Sequence, residues 1–382
     1  MEAEFGRAQW VFGLTTYGFL SEQAVLCVYQ EHGREYMAVL NPDTGSLQPR
    51  ETSFAAFESL QVANGRATWI GQSASGPAAI VLLEPGGDMP TEVRRASSLH
   101  VDPGFLSVPE HIEFPTEHGL TAFGFLYRPQ NSEYRALAGE KPPLLVKSHG
   151  GPTDDASSAF SAIIQYWTSR GIAVLVVNYG GSTGYGRAFR RRLNGLWGVV
   201  DVEDCVNGAL YLARAGAVDG KRLLIDGGSA GGYTTLAVLT FRSEFRAGAS
   251  YYGVSDIEAL ATDTHKFESR YMDSLVGPYP EQRALYRQRS PINHVDRLAR
   301  PLILFQGLED KVVPPAQAVT MYQAVKAKGL PVAYLPFEGE QHGFRQAGHI
   351  QRALEAEFYF FARVLGYDPP ETIDPVAIAN LD

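Results

Sequence analysis

Cysteine is scarce: Cys27 and Cys205 are the two in 382 residues. They stand far apart, with no motif around them, which argues against a disulfide framework and for a reducing compartment. Positive charge is in deficit, with 33 Lys and Arg against 42 Asp and Glu and a net charge of −9. A nucleic-acid binder would show a basic face, so nucleic acid is not expected as a partner. Long apolar runs are missing as well. No stretch reaches the roughly 18–20 residues of a membrane span, and the opening MEAEFGRAQWVF lacks the basic start and apolar run of a signal peptide. No membrane partner is expected, and the reading is of a soluble, cytoplasmic protein. The glycine-rich GGSTGYG at 180–186 has no Lys-Ser/Thr ending and so does not read as a phosphate loop. With no metal cluster in the sequence either, neither a metal nor a cofactor is expected.

What is present is enough apolar material, 45% of residues, to bury a sizeable core. The length suits two domains. Residues 1–108 read as short strands and turns. AVLCVYQEHGREYMAVLNPDTGSLQPRE and FESLQVANGRATWIGQSASGPAAIVLLEPGGDMPTEVRR share a layout of strands broken by glycine turns. Asn-Gly between strand-like runs is a strong hairpin signal. The two stretches repeat at about 45 residues, near the length of a four-stranded propeller blade. A plain antiparallel sheet without repeat ancestry would look similar.

Beyond a boundary near PEHIEFPTE (109–117), strands alternate with helices. IAVLVVNYGG is a continuous apolar run, the mark of a strand buried on both faces. DVEDCVNGALYLARAG has acids in its first turn, as a helix dipole prefers. PPAQAVTMYQAVKAKG starts with proline and ends with glycine. The alternation predicts an α/β domain over 109–367, with a mostly parallel, doubly wound sheet. The tail from 368 to 382 has no helical period and is expected to run extended.

One turn in this half carries chemistry. Gly227-Gly228-Ser229-Ala230-Gly231 matches G-x-S-x-G between a strand and a helix, the context in which a strained turn exposes a nucleophilic serine. A glycine turn with a capping serine is the plain alternative. A serine hydroxyl needs a base, and on this kind of sheet the chain order is Ser, acid, His. His342, in FEGEQHGF, follows the last strand and is preferred. His294 precedes a strand, and His349 reads as a surface residue of the last helix. The acid is sought in LILFQGLEDKVVPP, where Glu309 and Asp310 both follow a strand. Asp310 is preferred, Asp256 is the runner-up, and Asp201 and Asp204 read as structural residues on a helix. Gly151, in KSHGGPTDD, and Ala230, after the serine, are placed to offer amides to an oxyanion.

Together HGGP, NYGGSTGYG, GLWGVVDVED, GGSAGGY, SRYM, GLEDKVVP and EQHGF resemble the prolyl oligopeptidase family of serine peptidases. The likeness spans roughly 110–367 and is nearest the acylaminoacyl peptidase and dipeptidyl aminopeptidase branch. It implies an α/β-hydrolase domain with Ser229, Asp310 and His342 as the triad. It also implies that Tyr233, Val254, Ile257 and Val313 line an apolar substrate pocket. Members of the family cut short peptides because a propeller screens the entrance.

Two departures stand out. The 1–108 segment resembles the last two blades of a propeller that has seven or eight in the family, and two blades cannot close a ring. The expectations are a truncated gene, a fragment that assembles with another chain, or a peptidase with a reduced cap. Gly180 stands where relatives often have arginine. The functional expectation is a serine peptidase acting on short peptides or on free or N-acylated aminoacyl amides, and a homo-oligomer is admitted. An esterase with the same triad and a silent assembly module are the alternatives.

Overall fold

The computed structural model describes residues 3–7, 13–263, 266–369 and 372–381, without the side chain of residue 267. The N-terminal part is all β. Strands Tyr17–Ser21, Ala24–Glu31, Arg34–Leu40 and Leu47–Arg50 form one antiparallel meander, with Ala3–Glu4 added beside Ala24–Glu31. Strands Ala56–Ala63, Arg66–Gln72, Ala79–Leu83 and Thr91–Arg95 form a second. The third strands of the two meanders begin 45 residues apart, at Arg34 and Ala79. The tight turns are where the sequence places them. His32 and Gly33 have φ of 50° and 69°, and Asn64 and Gly65 have 52° and 74°, the left-handed pair that a two-residue hairpin demands. Leu26, Val28 and Met37 of the first sheet meet Phe57, Leu60 and Trp69 of the second in a shared core.

The α/β part is built on eight strands: β1 (Glu110–Pro115), β2 (Thr121–Tyr127), β3 (Leu144–Ser148), β4 (Ala173–Asn178), β5 (Leu223–Gly228), β6 (Ala247–Tyr251), β7 (Leu302–Gly307) and β8 (Val332–Phe337). Their order is β1-β2-β4-β3-β5-β6-β7-β8. The pairings of β1 with β2 and of β2 with β4 are antiparallel, and the rest are parallel. The main helices are α1 (Ala162–Ser169), α2 (Val200–Arg214), α3 (Ala230–Phe241), α4 (Pro315–Ala327) and α5 (Ala347–Leu365).

Strand periodicity sorts the core into two layers. Leu144, Val146, Leu223 and Ile225 face the side covered by α2, α3 and α4. Leu145 and Leu224 face α1 and α5, where Trp167, Phe358 and Phe361 are sealed. Burying such a side chain contributes about 1.5–3 kcal/mol. Helix α3 is buried from Ala230 to Thr240, so it shows apolar or small residues all round. Helix α5 ends at Gly366, whose φ of 82° closes it. In the tail, Ala379 bridges Val332 on the edge of β8, and Ile373 and Val376 pack into the α1–α5 layer.

The two parts touch through Gly33 N–H donating to Gly184 O at 2.9 Å and Gln30 Nε2 donating to Asp155 Oδ2 at 3.0 Å. Glu4 pairs with Arg190. Among the described residues no helix is long and apolar enough to cross a membrane. Cys27 and Cys205 are buried and unpaired.

Candidate active site

Chain order reverses direction about β3: β4 lies on one side of it and β5 on the other. Loops leaving β3 and β5 therefore diverge at their C-terminal ends and leave a crevice. Ser229 stands there, one residue beyond β5. Its φ of 56° and ψ of −119° are strained for a residue with a Cβ. The strain is held from both sides. Ser229 N–H donates to Tyr251 O at 2.9 Å, and Ser229 O accepts from Tyr233 N at 3.0 Å, starting α3. The flanking glycines are obligatory on packing grounds. A Cβ on Gly231 would lie 2.0 Å from Ser148 O, and one on Gly227 would lie 2.4 Å from Gly231 C.

Ser229 Oγ lies 2.8 Å from His342 Nε2, and His342 Nδ1 lies 2.8 Å from Asp310 Oδ2. Residues 113 positions apart are thus joined in one row. The histidine is 22% exposed and the carboxylate of Asp310 is sealed. Every other contact of that carboxylate is with a donor. Oδ1 accepts from Val312 N at 2.8 Å and Val313 N at 2.9 Å, and Oδ2 accepts from Gln306 Nε2 at 3.2 Å. A buried anion so provided stays in place and directs the Nδ1–H of His342 toward itself. Tyr252, with a φ of 40°, sets its ring edge-on to His342 at 4.9 Å.

The loop after β3 comes alongside. A Cβ on Gly150 would lie 3.7 Å from Ser229 Cβ. Gly151 takes a φ of 112°. The loop is braced from beneath: His149 stacks on Tyr179 at 4.3 Å and sets Nε2 2.7 Å from Ser182 Oγ. Burial pushes the His149 imidazole below its ordinary pKa, against the pull of the Gly150 carbonyl. Tyr179 OH donates to Pro152 O at 2.9 Å.

The other candidates separate in space. Glu309 is exposed. Asp256 caps the helix Ile257–Asp263, accepting from Glu258 N at 2.9 Å. Asp201 and Asp204 are buried, accepting from Gly198 N and Gly180 N. His294 packs edge-on against Phe241. Tyr233, Val254, Ile257 and Val313 all lie within the core on the α3 side, each no more than 2% exposed. Tyr233 rests on Trp197 and donates its hydroxyl to Arg289 O at 3.1 Å.

His349 is more than a surface residue. Its Nδ1 lies 3.0 Å from Glu340 Oε1, and its ring packs on Phe337. Glu340 also accepts from Arg345 N and Gln346 N, both at 2.9 Å. These bonds close the loop that carries His342. Sequence reasoning passed over Glu340, Gln306 and Tyr252. A lone glutamate, a glutamine inside a strand and a tyrosine after one carry no spacing signal. Among the described residues no group of His, Cys, Asp and Glu is arranged to hold a metal ion.

Comparison with known proteins follows the same lines. Residues 158–368 match the Prolyl oligopeptidase family. The chain is 29% identical over 263 residues to dipeptidyl aminopeptidase BIII of Pseudoxanthomonas mexicana, covering 67% of this chain and 38% of that one. Two solved structures superpose on 99% of this chain and 57% of theirs. One is a Mycobacterium tuberculosis puromycin-hydrolyzing peptidase, with 40% identity and a TM-score of 0.96. The other is a puromycin hydrolase, with 37% identity and a TM-score of 0.94. The chain thus spans well under two thirds of each of these relatives. The serine turn, the α/β sheet beneath it and the two β-meanders before it have one explanation: the chain belongs to the prolyl oligopeptidase family.

Proposed function

We propose that the chain is a serine peptidase that hydrolyses short peptides or aminoacyl amides, the amino group free or acylated. The observation that carries this reading is the row Ser229–His342–Asp310, with both links at 2.8 Å. His342 Nε2 takes the Ser229 proton as Oγ attacks the carbonyl carbon. Asp310 holds Nδ1–H and stabilises the imidazolium that forms. The oxyanion is given to the amides of Gly151 and Ala230, the second of which opens α3, where the helix dipole favours negative charge. His342 then protonates the leaving amine. Water, activated by the same nitrogen, releases the acyl group from Ser229. Tyr233, Val254, Ile257 and Val313 are sealed in the core on the α3 side, so they are assigned to backing the acyl side of the site and not to its open surface. The solved relatives named for puromycin hydrolysis make puromycin, an aminoacyl amide, a reasonable trial substrate.

The test is turnover of puromycin, an aminoacyl anilide, its N-acetyl form and a short-chain acyl ester by the chain and by Ser229→Ala. Amide cleavage that disappears in the variant is expected. Cleavage of the ester alone would replace the peptidase with an esterase. A folded chain with no Ser229-dependent turnover on any of the four would overturn the reading.

A further inference from the structure

His342 stands in a loop that runs from Phe337, the end of β8, to Ala347, the start of α5. One residue of that loop, Glu340, is bonded both to the turn that carries Asp310 and to the chain that leads into α5. Its main-chain oxygen accepts from Glu309 N at 2.9 Å, one residue before Asp310. The two loops approach this closely because β7 ends in glycine: a Cβ on Gly307 would lie 2.6 Å from Glu340 O and 2.4 Å from Gln341 O.

The carboxylate of Glu340 holds the far end of the same loop. Oε2 accepts from Arg345 N at 2.9 Å, and Oε1 accepts from Gln346 N at 2.9 Å and from His349 Nδ1–H at 3.0 Å. Burial opposes the charge, and the bonds from Gln346, Arg345 and His349 outweigh it, holding this carboxyl below its ordinary pKa. The residue is 1% exposed, so it offers no surface to a substrate. Both sides of His342 are thus tied through one side chain and one carbonyl, and the Asp310 turn is tied to the same point.

We propose that Glu340 is a positioning residue of the triad, fixing where His342 stands between Ser229 and Asp310. The structural clasp stands on its own bonds; its effect on turnover rests on the peptidase reading. Glutamine is nearly isosteric with glutamate but cannot replace it. In either orientation its NH₂ faces a donor, Arg345 N on one side or Gln346 N and His349 Nδ1 on the other. A sealed donor facing a donor is costly, so the loop must shift to relieve it. Misplacement of a catalytic group by about 1 Å costs about 10²-fold in rate.

The experiment compares Glu340→Gln, His349→Leu and His349→Asn with the parent on an amide substrate, with a thermal melt of each. Asparagine carries an NH₂ where histidine carries Nδ1, so it keeps the donor to Glu340 Oε1, which leucine removes. Glu340→Gln should lower kcat about 10²-fold with KM nearly unchanged. His349→Leu should fall between it and the parent, and His349→Asn should return toward the parent. The second readout is the low-field proton resonance of His342 Nδ1–H on Asp310, identified by its loss in Asp310→Ala. It should persist in Ser229→Ala and be displaced or lost in Glu340→Gln. A folded Glu340→Gln chain with kcat within about tenfold of the parent would overturn the proposal. So would a rise in KM matching the fall in kcat, or equal losses in the two His349 variants. If the parent has no turnover, the peptidase reading fails by itself and the resonance still decides: unmoved in Glu340→Gln, it overturns the positioning role.

Discussion

Replacing Asp310 by asparagine tests the row at its most constrained member. Oδ1 of Asp310 accepts two backbone amides, from Val312 and Val313. An NH₂ group cannot stand there, so the asparagine oxygen must take the Oδ1 position. Its NH₂ then takes the place of Oδ2, facing His342 Nδ1 and Gln306 Nε2. A donor now meets Nδ1, so the imidazole carries its proton on Nε2 instead. That nitrogen lies 2.8 Å from Ser229 Oγ and can no longer accept its proton. A wrong tautomer in a serine triad costs about 10⁴ in kcat, or about 5.4 kcal/mol of transition-state stabilisation. The NH₂ group introduced at this position also opposes that of Gln306 in a sealed site, which should cost about 1–3 kcal/mol of folding stability. The assay is kcat and KM on an amide substrate with a thermal melt alongside. A folded Asp310→Asn chain with kcat within about tenfold of the parent would refute the argument.

Two further substitutions probe the scaffold. Gly231→Ala places a Cβ 2.0 Å from Ser148 O and 2.8 Å from Ser148 C, both backbone atoms that cannot rotate away. Overpacking of about 1–3 kcal/mol or more should outweigh the gain of up to about 1 kcal/mol from alanine's helix propensity. Denaturant unfolding should show a net loss, and a more stable variant would contradict the packing. Burial raises the Asp201 carboxyl to about 6, against the hydrogen bonds from Thr234 and Gly198. Its unfolded value is about 3.9. The native state therefore binds the extra proton, and this group's contribution is full below pH ~4 and is lost as pH rises through ~6, by roughly 3 kcal/mol. Asp201→Asn removes that loss, so its stability relative to the parent should rise across this window. A pH-independent difference would show that Asp201 titrates normally.

Much of this was legible in the one-dimensional pattern because local rules and global fold agree here. Asn64-Gly65 needs left-handed backbone at both positions, and the hairpin between Ala56–Ala63 and Arg66–Gln72 supplies it. The apolar run of β4 is buried on both faces as its composition requires. Gly227 and Gly231 bracket a serine that only a strained turn would present. The long-range pairings were not legible. Glu340 gives no signal until its carboxylate is seen gathering the amides of Arg345 and Gln346 and the ring of His349. Lys147 reads as one polar interruption in an apolar strand, and nothing in its neighbourhood in sequence points to Glu357, which arrives from α5.

By itself the sequence determined the element types, the hairpin turns and the chain order of serine, acid and histidine. Each of these depends on side chains within one or two turns of backbone. Only the tertiary structure decided which carboxylate meets His342, because Glu309 and Asp310 are adjacent and only the turn after β7 turns one inward and leaves the other exposed. It likewise decided that Lys147, Asp226, Tyr251 and Glu357 come together between the sheet and α5. Three neighbouring strands and a helix from the far end of the chain meet there, and that meeting is set by sheet order and helix packing, which no local pattern encodes.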